Sequence, residues 1–178
     1  MPIIIKQQQN LCCLFAIVNI FKPQSTLEEM QGAIHHLKID VKKGMTFVEE
    51  NFLIAEVTNN EIQLVPFFLN HEDGISESLF MYYFESLAEG EHSKNIFGCA
   101  LLVGNKNLDG TLHRIWAFHQ GGASKTIIVD TKFSETREFE TTSDLWESYV
   151  IKGIFLTHSV RMKQNVSFSK EDIKHLLK

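Results

Sequence analysis

Two strand-forming runs, Leu112 to Gln120 and Lys125 to Lys132, flank Gly121-Gly122. Runs of this kind around a short glycine turn read as a β-hairpin, and a hairpin restricts which residues can meet. If Gly122-Ala123 forms the turn, Gly121 opposes Ser124, His113 faces Lys132 and Asp130 faces Ile115. His113 and Asp130 are then diagonal neighbours on one face, roughly 7 Å apart at the backbone. His119 shares that face by period-2 alternation. It faces Thr126, however, roughly 13 Å along the strand from Asp130. Reach therefore selects His113 over His119 as the partner of Asp130.

The rest of the second half has the same strand character. Phe97 to Val103 is a buried strand, Phe139 an edge strand, and Ile154 to Val160 a last strand after a short helix over Ser143 to Tyr149. Ser167 or Ser169 would cap a terminal helix ending at Lys178. The first half is mostly helical. A helix from Asn10 to Phe21 stops before Pro23, and its middle, Leu14 to Val18, is apolar all round, as in a buried helix. Ser25-Thr26-Leu27-Glu28 has the capping-box form and opens a second helix to Leu37. Further helices are expected from Val48 to Val57 and Leu79 to Leu87, with a short strand at Ile62 to Phe67. Helices first and an antiparallel sheet afterwards is an α+β order.

No repeat or Gly/Ser linker divides the 178 residues, so residues 1–178 are expected to form one domain, helical to about 95 and sheet beyond. The net charge of -5, without a dense Lys/Arg run, offers no footprint for nucleic acid or an anionic membrane. Ile3-Ile4-Ile5 is too short for a signal-peptide core, and no stretch has the length of a membrane span. Three cysteines, two of them adjacent, do not make a disulfide framework. Free thiols in a reducing, cytoplasmic compartment are expected.

Cys12 and Cys13 stand in the first turn of the first helix, where unpaired N–H groups favour a thiolate. The same groups can hold an oxyanion, and Gln7 just upstream can add a side-chain donor. The bland alternative is a pair of core cysteines without a role. Cys99, inside the apolar run, reads as core. His113, oriented by Asp130, is the expected base. The other histidines read as background: His35-His36 in a helix, His71 and His92 in loops, His158 in the last strand and His175 in the terminal helix. No CxxC or HExxH spacing occurs, so neither a metal nor a cofactor is expected. GxGxxG, P-loop and GxSxG patterns are also absent.

The order Gln7, Cys12-Cys13 opening an apolar helix, His113 and then Asp130 resembles the papain-like clan of cysteine peptidases. Leu112 to Phe118 is similar to the clan's His-bearing strand, and Ile127 to Phe133 to the strand whose apolar run ends at its Asp. Within the clan the chain looks most like the bacteriocin-leader-peptidase-like group and injected bacterial effector proteases and deamidases. The spacing of Gln7, Cys12 and Asn19 also resembles Josephin-type deubiquitinases. The resemblance implies a helical lobe whose nucleophile helix packs on a C-terminal antiparallel sheet. It implies a Cys-His-Asp triad acting through a thioester, with Cys12 as nucleophile, Cys13 as the alternative and Gln7 at the oxyanion. The implied substrate is an amide, peptide or isopeptide bond in a protein or peptide, ubiquitin or a host protein among them. Delivery into a host cell without a cleavable signal peptide would fit the effector branch. Glutamine deamidation or transglutamination is the alternative, and an inactive interaction protein on the same scaffold the second.

Overall fold

The computed structural model describes residues 17–18, 20–22, 25–40, 45–69, 72–89, 96–106, 112–120, 126–130, 137–139, 146–147, 149–169 and 171. Ile17, Val18, Ile20 and Phe21 are helical, the described part of the expected first helix. The next helices each start at a threonine. In α1 (Leu27–His36), Thr26 Oγ1 accepts from Glu29 N at 3.2 Å, and Glu29 Oε2 accepts from Thr26 N at 2.8 Å. In α2 (Phe47–Val57), Thr46 and Glu49 do the same at 3.3 and 2.6 Å. The first box is one residue later than the expected Ser25–Glu28 frame. Ser25 is buried and its N–H bonds back to the Lys22 carbonyl, which leaves Thr26 to cap.

Both helices end on residues in left-handed backbone. Lys38, at φ 53°, bonds to the His35 carbonyl, and the following Ile39 N–H bonds to that of Ile34. Asn59, also at φ 53°, precedes Asn60, whose N–H reaches the Ala55 carbonyl. These are Schellman closures made without glycine.

The strands are β1 (Ile62–Leu69), β2 (Ile96–Asn105), β3 (Leu112–Gln120), β4 (Thr126–Val129), β5 (Arg137–Phe139), β6 (Tyr149–Ser159), β7 (Gln164–Asn165) and β8 (Ser167–Phe168). All the pairings described are antiparallel, in the order β1-β6-β2-β3-β4-β5, with β7 on β6 and β8 on β2. The architecture is α+β. The sheet crosses the expected division near residue 95, because β1, from the helical half, pairs with β6. Tyr149 begins β6 instead of ending a helix, and Ser167 lies in β8, so no helix starts there. The terminal helix that Ser169 would cap falls on residues 170 and 172–178, outside the described ones.

Helical residues cover both faces of the sheet. Ile17, Val18 and Ile20 join Met30, Leu53, Ile54, Ala100, Trp116, Phe118 and Val129 in one apolar cluster. Phe80 of α3 (Glu77–Glu89) joins Leu101, Val103, Ile115, Ala117, Ile128 and Tyr149 in another. Alternation along β3 separates the two, with Trp116 and Phe118 on one face and Ile115 and Ala117 on the other. Gly98 of β2 makes room on the first face, where a Cβ would come within 2.7 Å of the Phe118 ring.

The first half of the β1 edge has its donors engaged or missing. Its outward N–H groups at Ile62 and Leu64 donate to Thr58 Oγ1 and Asn51 Oδ1, at 3.2 and 2.7 Å. The next outward position is Pro66, which has no N–H.

Candidate functional site

The β3–β4 hairpin has the register expected from its glycine turn, pairing Trp116 with Val129, Ala117 with Ile128, Phe118 with Ile127 and His119 with Thr126. The ladder stops at Val129, and Asp130 is the next residue. Continued by one step, the register sets Asp130 opposite Ile115 and diagonal to His113. The side chains meet there: His113 Nε2 lies 2.6 Å from Asp130 Oδ1. His113 is 3% exposed and Asp130 2%.

A carboxylate buried this deeply needs donors at both oxygens. His113 serves Oδ1, and the Tyr149 hydroxyl donates to Oδ2. When the carboxylate is ionised it can only accept, and Nε2 is then the donor of this contact. Sequence reasoning missed Tyr149 because it placed that residue at a helix end. The usable signal was the demand of a buried Asp130 for a second donor.

Arg114, the neighbour of His113, points to the other face. Its Nη2 meets Glu50 Oε2 at 2.8 Å, its Nε meets Oε1 at 3.1 Å, and its guanidinium carbon lies 4.1 Å from the centre of the Phe155 ring. This forked, buried pair fastens α2 to β3. The helical residues Ile17, Val18, Ile20 and Phe21 pack on that same face, where Phe21 meets Trp116 edge-on at 5.4 Å. His113 and Asp130 therefore face away from the described part of the first helix.

Gln7, Cys12 and Cys13 lie outside the described residues. Among the expected site residues the structure thus brings together His113 and Asp130. His119 keeps its expected place opposite Thr126. His36 sits on the surface 3.2 Å from Glu56, and His158 faces Gln63 across the β1–β6 ladder. His71, His92 and His175 lie outside the described residues. Cys99 is 1% exposed in the second cluster, and burial pushes its thiol pKa far above the usual range.

Two grooves open elsewhere. One, of about 170 Å³, is lined by Lys22, Glu29, His36 and Glu56 among others, and the larger, of about 480 Å³, by Val48, Phe52, Ile62 and Val160 among others. Neither reaches His113 or Asp130. Among the described residues no three His, Cys, Asp or Glu side chains are grouped to hold a metal ion, and no helix is long and apolar enough to cross a membrane. No family model, curated protein or solved structure matches the chain.

Proposed function

We propose that the chain is a thiol hydrolase acting on an amide bond of a protein or peptide. Its base is His113, oriented by Asp130, and its nucleophile is Cys12, with Cys13 as the alternative. The observation that carries the reading is the buried 2.6 Å contact between His113 Nε2 and Asp130 Oδ1. In this reading Nε2 donates to the carboxylate and Nδ1 takes the reacting proton. In this reaction Nδ1 takes the proton of the Cys12 thiol, and the sulfur attacks the amide carbonyl carbon. Gln7 and the Cys12 N–H donate to the resulting oxyanion. The imidazolium returns its proton to the leaving amine as the carbon–nitrogen bond breaks, leaving a thioester. Water then adds to the thioester with His113 as base, and the acid product and free thiol depart. A peptide bond, an isopeptide bond to ubiquitin and a glutamine side chain all satisfy this chemistry.

A second reading, a non-catalytic interaction protein, is favoured by a different observation. His113, Asp130 and Tyr149 are all buried, and the helical residues Ile17, Val18, Ile20 and Phe21 lie on the opposite face of the sheet. In that reading the three side chains satisfy one another as a structural tie. A panel of ubiquitin-based and peptide-based electrophiles, read by intact mass, separates the two. The hydrolase reading expects a single adduct that Cys12→Ala abolishes. An adduct lost only in Cys13→Ala moves the nucleophile by one residue. No adduct with any probe, and no turnover, supports the interaction protein.

A further inference from the structure

Asp130 is held from two sides by residues far apart in the fold. His113 stands near the start of β3, and Tyr149 is the first residue of β6. Between β6 and β4 the sheet order inserts β2 and β3. The hydroxyl therefore ties Asp130 to a strand that is not its neighbour, and a serine or threonine at 149 would be too short to do so. The last torsion of a carboxylate has a broad, two-fold preference, and each donor at one of its two oxygens narrows it. Held at both, the carboxylate presents one fixed oxygen to the imidazole.

We infer that Tyr149 is a positioning residue of the proposed thiol centre. Its hydroxyl locks the Asp130 carboxylate so that Oδ1 faces His113 Nε2–H and the ring keeps Nδ1 for the thiol. This rests on the hydrolase reading and adds to it a member on a third strand. Tyr82 and Tyr83, the other two tyrosines, lie on α3 and pack against one another's rings.

The test is Tyr149→Phe in the full chain, with two readouts. In protein carrying ¹⁵N-histidine, the downfield His113 ring proton should move upfield and broaden. Alkylation of the Cys12-Cys13 pair by iodoacetamide at neutral pH should slow by about tenfold, the weight of one hydrogen bond to a charged group, and its pH profile should shift. A lower unfolding temperature with both readouts unchanged overturns the inference, since a purely structural hydroxyl would act that way. Should the phenylalanine variant not fold, replacing all three tyrosines by 3-fluorotyrosine keeps the shape and strengthens the donor. The His113 proton should then move, and an unmoved signal overturns the inference. The parent reading fails separately, through His113→Ala alkylating as fast as the native chain. If His113→Ala slows alkylation and Tyr149→Phe does not, the hydrolase stands and the positioning role falls.

Discussion

At the scale of single residues, burial decides what Cys99 can do. Cys99 is enclosed between β3 and β6 in the middle of the sheet, and desolvation alone raises its pKa. A thiolate is the reactive form, so Cys99 should stay unmodified when native protein is treated with iodoacetamide at pH 8. Intact mass should show it labelled only after urea is added. The same shift has a consequence for stability. The folded state keeps the Cys99 proton, while the unfolded chain loses it above about pH 8.5. This contribution is present in full below that pH and is lost as pH rises, by up to about 1.4 kcal/mol per pH unit. Urea midpoints between pH 9 and 11 should therefore fall more steeply in the native chain than in Cys99→Ala. Equal slopes would mean that Cys99 ionises as readily folded as unfolded.

At the scale of elements, the helix ends show where stability can be gained. Lys38 closes α1 in a backbone conformation that suits glycine, with the Schellman bonds already made around it. Lys38→Gly should stabilise the protein by about 1 kcal/mol, raising the unfolding temperature by about 2–4 °C in a chain of this size. A fall would show that the lysine side chain matters more than the backbone strain. The elements also show which features a sequence can reveal. The β3–β4 register was legible because turn and strands are contiguous, and the same locality brought His113 and Asp130 together. The helix expected from Val48 to Val57 was legible for the same reason. Tyr149 and the Glu50–Arg114 pair were not, since their partners are brought close only by the sheet order and by α2 packing on β3. Of two overlapping capping frames, Ser25 and Thr26, only the bond from Ser25 to Lys22 decides.

At the scale of the whole molecule, the sheet is a wall shared by two apolar layers. Period-2 alternation tells which residues of a hairpin share a face, but not which helices will cover that face. That is why the sequence paired His113 with Asp130 and yet left open which layer they meet. The helical residues Ile17, Val18, Ile20 and Phe21 and helix α2 lie behind Trp116 and Arg114, while His113, Asp130 and Tyr149 lie with the layer of Phe80. The engaged donors at Ile62 and Leu64, with Pro66 next, disfavour strand addition along the first half of β1. The proposed hydrolase thus requires a coupling between the Cys12 thiol and the His113–Asp130 pair. The most direct measurement is the rate of iodoacetamide alkylation at Cys12 at pH 6, in the native chain and in His113→Ala. Coupling predicts a fast native rate that falls by about a hundredfold or more without the imidazole. A slow native rate, unchanged in His113→Ala, would contradict it.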